Sequence, residues 1–168
     1  MPRDSLAELQ SRVGGSRKTV EGLKIEAGKV KEFARAIKDD NPVFYDEEVA
    51  QERGHPAIPA PLTFTRTAYF PRYRASGIGL DFGFDLGMDP EYIVHGEQSY
   101  EFSRPAYVGD TLTGVTTFRD VYQRDGSTGG EMTFAVFETE YRDQHGDHVL
   151  TEQATRIETD GAIDEDDP

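Results

Sequence analysis

Apolar and polar residues alternate along the C-terminal half of the chain. Tyr100 and Phe102 share one side of an extended segment, and Phe134 and Val136 do so in another. A period of two is typical of strands that bury one face, and Gly- and Asp-rich stretches suited to hairpin turns follow two of these segments. The pattern predicts an antiparallel meander of four strands, over residues 92–104, 111–123, 131–142 and 148–158.

The N-terminal part of the chain has helical signals instead. Ser5–Glu8 has the form of a capping box and predicts a short helix over residues 4–13. Asp46 is suited to cap another helix over residues 47–53, where acidic residues occupy the first turn. Between the two, apolar residues at the spacing of one buried helical stripe predict a further helix: Val30, Phe33, Ala34 and Ile37.

A central helix is predicted over residues 61–73, because Pro61 is tolerated in the first turn of a helix. A sheet with one apolar face needs a cover, and this helix is the obvious candidate. The fold class is therefore α+β, a single domain in which an antiparallel sheet is wrapped around a central helix. The domain is expected over residues 1–157. Residues 158–168 contain six acids and no bases, so we expect a disordered tail.

Charge and composition exclude several kinds of function. The net charge is −14, which disfavours nucleic acid and anionic membranes as partners. There are no cysteines, and the four histidines lack zinc-site spacing, so we expect no metal and no cofactor. Neither a spanning apolar segment nor a signal peptide is recognisable, which indicates a cytoplasmic protein. Arginine outnumbers lysine 13 to 5, which favours a salt-adapted source over an ordinary acidic protein.

Four motifs in order along the chain resemble the MaoC-like hydratases and dehydratases. Residues 39–44 read D-D-N-P-V-F, residues 60–64 A-P-L-T-F, residues 94–98 V-H-G-E-Q and residues 104–112 R-P-A-Y-V-G-D-T-L. Together they are similar to the N-terminal, fatty-acid-synthase-type dehydratase branch, and the resemblance extends from Val20 to Glu158. It implies a hot-dog fold and an acyl-CoA or acyl-carrier thioester as ligand.

The resemblance also assigns site residues. Hydration of an enoyl thioester needs a base, an acid and donors for the enolate oxygen. Asp39 matches the catalytic aspartate, but Phe44 occupies the histidine position, and a phenyl ring cannot transfer a proton. Pro61 falls where relatives have a glycine that donates its N–H, which proline lacks. The expected substrate-binding positions are Asn41, Phe44, Ala60, Pro61, Leu62 and Thr63.

Three hypotheses follow. In the first, the chain binds the acyl thioester and dimerises, with itself or with a catalytic MaoC-like subunit. In the second, it is a self-sufficient hydratase that uses Asp39 with His55, although His55 is also explained as an ordinary loop residue. In the third, it is a non-catalytic acyl-CoA or lipid-binding regulator. A basic patch for the phosphates is expected at Arg66, Arg72 and Arg74, although ordinary exposed arginines that keep the protein soluble explain them equally well.

Overall fold

Five antiparallel strands form one sheet in the order β1-β3-β4-β5-β2. The computed structural model describes residues 2, 4–70, 72–74, 79, 81–126 and 130–160. The four strands predicted from the period of two are present, and a fifth precedes them. Their bounds are β1 Ser16–Lys24, β2 Ile93–Phe102, β3 Thr111–Asp125, β4 Glu131–Arg142 and β5 His148–Glu158.

Strand β1 was not predicted, because its alternation is interrupted. Its pairing with β3 shifts register twice, between Lys18 and Val20 and again between Val20 and Leu23. These irregularities bring Thr19 and Val20, which are adjacent in sequence, both into buried positions. A strand whose buried residues do not recur every second position lacks the signal by which strands are recognised.

The three predicted N-terminal helices are present: α1 at Leu6–Gln10, α2 at Ala27–Ala36 and α3 at Glu47–Glu52. The capping box is confirmed, since Ser5 N donates to Glu8 Oε2 at 2.8 Å and Ser5 Oγ accepts from Glu8 N. In α2, Val30 and Ala34 are buried as predicted. Ile37 is 48% exposed, because the helix ends one residue before it. Asp46 caps α3 by accepting from Glu48 N at 2.9 Å.

The central helix is shorter and tighter than predicted. It is a single 3-10 helix at Phe64–Tyr69, named the central segment here. Thr65 and Thr67 are β-branched, and the hydroxyl of Thr67 donates to the carbonyl of Phe64 at 2.8 Å. Branched side chains and hydroxyls that bond to the backbone both weaken a regular α-helix, which explains why the predicted span of residues 61–73 is not continuous.

The core has two parts. One lies between α2, the central segment and the sheet, where the rings of Phe33 and Phe64 meet edge to face at 5.4 Å. The other contains Phe82 and Phe84, which lie in residues 76–90, a glycine-rich and aromatic range whose sequence predicts a long irregular loop. Residues 81–89 form no helix or strand, but the ring of Phe82 packs 4.8 Å from that of Phe137 on β4, so this part of the range is core.

The predicted tail begins too early by at least one residue. Glu158 is the last residue of β5 and is buried, and its carboxylate accepts from the backbone N–H of Asp89 at 2.7 Å. Residues 161–168, the rest of the predicted tail, lie outside the described residues. Within the part of the chain that the structure describes, no helix is long and apolar enough to cross a membrane.

Candidate functional site

Asp39 and Asn41 form the turn that ends α2. The carboxylate of Asp39 accepts from Asn41 N at 3.0 Å, and its carbonyl accepts from the hydroxyl of Tyr45 at 2.6 Å. The amide oxygen of Asn41 accepts from Val43 N at 3.3 Å and from Arg53 Nη1 at 2.7 Å. Both side chains therefore have turn-stabilising roles of the kind that Asx residues commonly take.

Phe44 occupies the position that the resemblance assigns to the catalytic histidine. It is half-buried and packs against the part of the core that contains Ala60 and Phe64. The ring thus contributes apolar contact to this part of the core. An aromatic hydrocarbon at this place can pack against an acyl chain, but it provides no proton donor or acceptor.

His55 is held by a different neighbour from the one that the second hypothesis requires. Its backbone N–H donates to the carbonyl of Ala50 at 3.0 Å, and its Nδ1 is hydrogen-bonded to the hydroxyl of Tyr107 at 3.2 Å. Asp39 is bonded to Asn41 and Tyr45 instead. The structure therefore gives His55 a tyrosine partner and not the aspartate with which it would share a proton.

The segment Ala60–Thr63, to which the resemblance assigns substrate binding, directly precedes the central segment. The N–H of Ala60 donates to the carbonyl of Ala106 at 2.7 Å, and Pro61 has no N–H. Ala60 therefore cannot donate to a ligand without breaking this backbone hydrogen bond, and Pro61 cannot donate at all. Leu62 is 65% exposed and Thr63 is also exposed, so they face outward at this corner of the domain.

A buried carboxylate beneath the central segment was not predicted from the sequence. Glu152 on β5 is only 3% exposed, and its Oε2 accepts from the hydroxyl of Thr65 at 2.9 Å. Its Oε1 accepts from the amide of Gln98, whose own oxygen accepts from Arg66 at 3.0 Å. The sequence contained a signal for this burial, because Glu152 is two residues from Leu150 on a strand and so lies on the same face as that apolar residue.

The same carboxylate influences Tyr100 on β2. Burial raises the pKa of Tyr100 to about 12, and the negative charge of Glu152 adds to the effect. An ionised phenol is therefore disfavoured at this place, since it would lose hydration and face a like charge. Tyr100 is neutral at physiological pH and cannot replace the missing histidine as a base.

Three arginines gather around the ring of Tyr69. The guanidinium carbons lie 4.3 Å from the ring centroid for Arg66, 4.8 Å for Arg74 and 5.8 Å for Arg156. Two members of the predicted basic patch are thus together, joined by Arg156, which was not predicted. Arg72 is exposed and lies apart from this ring. Its charge helps to lower the pKa of Glu26, but Lys29 has the largest effect on that pKa and Arg72 the smallest.

A small cavity of about 10 Å³ lies beside this arginine cluster. That volume holds about one water molecule. It is lined by Thr19, Val20, Ala68, Tyr69, Arg74, Phe82 and Tyr141. Among the described residues, no group of three or more His, Asp and Glu side chains is placed to hold a metal ion.

Solved structures show which class of protein has this fold. A chain of the HadBC (3R-hydroxyacyl-ACP dehydratase) complex from Mycobacterium tuberculosis matches with a TM-score of 0.70 at 27% identity, covering 87% of this chain and 96% of that chain. A MaoC-like dehydratase matches with a TM-score of 0.71 at 25% identity, covering 89% of this chain and 43% of that chain. The fold is the hot-dog fold of the MaoC-like dehydratases, as predicted.

Sequence comparison identifies the family. A family model described as "FAS1-like, dehydratase domain region" matches residues 12–152. A UPF0336 protein of Streptomyces coelicolor is 33% identical over 142 residues, which are 84% of this chain and 89% of that protein. A UPF0336 protein of Mycobacterium leprae is 40% identical over 99 residues, 58% of this chain and 56% of that protein. The chain belongs to the FAS1-like dehydratase domain family, which confirms the resemblance seen in its motifs.

Proposed function

We propose that the chain is a non-catalytic subunit of a hot-dog hydratase or dehydratase, and that it binds an acyl thioester for a catalytic partner. The observation that carries the proposal is Phe44, which packs into the core where the family motif has its proton-transferring histidine. The loss of one general acid–base group typically lowers a rate by about 10²- to 10⁴-fold. An intact site must therefore come from another subunit.

The corner at Ala60 and Pro61 supports the same proposal. One of these residues has its N–H bonded to Ala106, and the other has none. An oxyanion donor is typically worth about 10²- to 10³-fold in rate. A chain that lacks both the proton carrier and a donor is poorly equipped to catalyse hydration by itself.

The comparisons support a two-subunit arrangement. The HadBC protein is named as a complex, and this chain covers nearly the whole of its matched chain. The longer MaoC-like dehydratase is matched over 43% of its length, as expected if that chain holds two such units. We infer that the protein is one half of a pair, with a heterodimer favoured over a homodimer. Its location in the cytoplasm stays a prediction.

The sheet offers a surface on which the partner can bind. Among the described strands, β2 pairs with β5 alone and so leaves its other edge available. The opposite edge, β1, is partly covered, since Glu21 N donates to the carbonyl of Tyr73 at 2.9 Å and Val20 bridges to Arg74. Unpaired strand edges are natural sites of association. The cavity beside Tyr69 is too small for an acyl chain, so we infer that the acyl site is completed by the partner.

The proposal is tested by hydration of crotonyl-CoA. The chain is purified alone, and also after co-expression with a hot-dog protein that has an intact D-x-N-P-x-H segment and is encoded beside it. We expect little or no activity from the chain alone and substantial activity from the pair. Phe44→His in the isolated chain should restore little, because the donor lost at Pro61 remains lost.

Two outcomes would contradict the proposal. Robust activity of the isolated chain, abolished by Asp39→Asn and by His55→Ala, would show that it is a self-sufficient hydratase. Acyl-CoA binding without any complex or activity with the neighbouring protein would favour a regulator. The matched control is Asp40→Asn, which removes an exposed carboxylate beside Asp39 and should change neither result.

A further inference from the structure

One apolar row crosses the outer face of the sheet, which is the face turned away from the central segment. Tyr122 on β3 pairs with Phe134 on β4, and Phe134 in turn pairs with Ile157 on β5. Ile157 also pairs with Val94 on β2. Side chains of directly paired residues lie on the same face of a sheet. Four neighbouring strands therefore contribute one apolar side chain each to a continuous row, named the outer row here.

The outer row is separate from both parts of the core. Ala135 and Phe137 on β4 belong to the core, and side chains alternate along a strand, so Phe134 between them lies on the opposite face. The four side chains of the outer row are all half-buried. Among the described residues, none of the four belongs to either part of the core. The row is thus an apolar surface that the fold of one chain covers only in part.

The aromatic end of the outer row has the composition of a protein interface. The rings of Tyr122 and Phe134 stack with their centroids 4.9 Å apart and an angle of 8° between their planes. The guanidinium carbon of Arg124 lies 4.9 Å from the centroid of Tyr122 and 5.8 Å from that of Phe134. Aromatic residues and arginine are enriched in interfaces between proteins, and other charged residues are depleted at their centres. This composition favours a protein as the occupant of the face.

The charges on the rest of the outer face indicate which protein fits. Beyond the outer row, Glu138 and Glu140 lie on this face of β4. The residues of β5 on the same face are all uncharged: Thr151, Gln153, Thr155 and Ile157. In the ladder, Glu138 is paired with Gln153, and Glu140 with Thr151. An acidic strand therefore lies directly beside a strand without outward charges.

This arrangement is self-complementary. Two sheets commonly pack face to face about 10 Å apart with their strands within about 30° of each other. A two-fold axis parallel to the strands, between β4 and β5, places β4 of one copy on β5 of the other and each row on itself. Phe134 then faces Ile157 of the second copy, and Glu138 faces Gln153 of the second copy instead of another carboxylate. A closed dimer requires a surface that matches itself in this way.

We propose that the outer face of the sheet binds a second copy of this chain through the outer row. Four strands at the usual spacing and about seven residues of β5 give a projected face of roughly 400 Å² on each copy. A standard interface buries about 800 Å² per partner, so the association is weak and depends on protein concentration. It uses the face of the sheet and leaves the β2 edge available, so two pairs of subunits can meet here. The proposal does not rest on the proposed function.

The first test is the effect of salt on self-association of the full chain. Each copy has a net charge of −14, so two copies repel one another, and salt screens the repulsion. Contact between apolar rows needs no attraction between charges. Sedimentation velocity over a series of protein concentrations should therefore show more dimer in high salt than in low salt. Dimer that dissociates as salt is added would indicate an ionic interface and overturn the proposal.

The second test places charges in the outer row. Phe134→Glu and Ile157→Lys should each weaken self-association at least about tenfold, because each buries a charge against an apolar side chain of the second copy. An equal mixture of the two variants should dimerise again. In the mixed dimer the two new charges face each other at one contact, and the native contact remains at the other. Ile37→Glu is the matched control, since Ile37 is 48% exposed and follows α2, and it should change nothing.

Urea unfolding followed by circular dichroism checks that each variant is folded. Phe134→Thr provides a milder change that suits a strand, and it should weaken self-association by a smaller factor than Phe134→Glu. Folded variants that dimerise like the parent chain, or a mixture that stays monomeric, would contradict the proposal. So would a Phe134→Glu chain that self-associates normally but no longer binds a catalytic hot-dog partner, because the face would then belong to that partner.

Discussion

The hydrogen bond between Thr65 and Glu152 is the most informative place to perturb the fold. It joins the central segment to β5 across 87 residues of sequence, and both side chains are buried. Thr65→Val keeps the shape of the side chain and removes the hydroxyl that donates to Oε2 of Glu152. The buried carboxylate then keeps Gln98 as a donor to its other oxygen and loses the donor to this one.

The expected cost follows from the charge of the acceptor. A hydrogen bond to a charged group contributes about 1.5–3 kcal/mol to the free energy of unfolding, against about 0.5–1.5 kcal/mol for one between neutral groups. For a domain of this size, about 1 kcal/mol shifts Tm by about 2–4 °C. Thr65→Val should therefore lower Tm by about 3–12 °C.

The matched control is on the same central segment. Thr67→Val removes a hydroxyl that donates to the neutral carbonyl of Phe64 at 2.8 Å and should cost about 0.5–1.5 kcal/mol. Both variants are compared by urea unfolding followed by circular dichroism at constant salt. A shift of the urea midpoint without a change in the slope of the free energy against urea concentration reports a change in stability. If Thr65→Val were no more destabilising than Thr67→Val, the buried carboxylate would not be the group that holds the central segment on the sheet.

Three further predictions concern packing, pH and assembly. Gly114→Ala should cost about 1–3 kcal/mol in urea unfolding, because its Cβ would lie 3.0 Å from that of Val20 and 3.1 Å from the ring of Tyr141. Because the pKa of Tyr100 is raised to about 12 from its unfolded value of about 10, the folded state keeps the proton longer. The contribution of this pKa shift to the free energy of unfolding is fully present below about pH 10 and is lost as pH rises through about 12. Between these two pH values, the free energy of unfolding measured in urea should therefore fall less for Tyr100→Phe than for the parent chain. Light scattering in high salt should give at least a dimer, whereas a clean monomer of 18.8 kDa would remove the assembly argument.

Local sequence signals predicted the elements that depend on nearby residues. The capping residues Ser5 and Asp46 begin helices where expected, since a cap is decided by contacts within one turn. Strand β4 follows the alternation of more and less buried residues from which it was predicted. These features need no knowledge of the rest of the chain.

Other elements required long-range information. Strand β1 follows β3 through two register shifts, so its own residues do not alternate regularly. Phe82 and Phe84 lie in a range without periodicity and become buried through contact with Phe118 and Phe137 on the sheet. The sequence of an irregular segment does not show whether its aromatic side chains are exposed or buried, because burial depends on a partner elsewhere in the chain.

The sequence by itself determined what positions 44 and 61 can do chemically. A phenyl ring at position 44 cannot carry a proton and a proline at position 61 cannot donate one, whatever the fold around them. Only the tertiary structure decided that the N–H of Ala60 is bonded to Ala106 and that His55 is partnered by Tyr107. It alone also joined Arg156 to Tyr69, which is 87 residues away along the chain. Bonding capacity is a property of each residue, whereas the pairing of distant residues is set by the register and order of the strands that carry them.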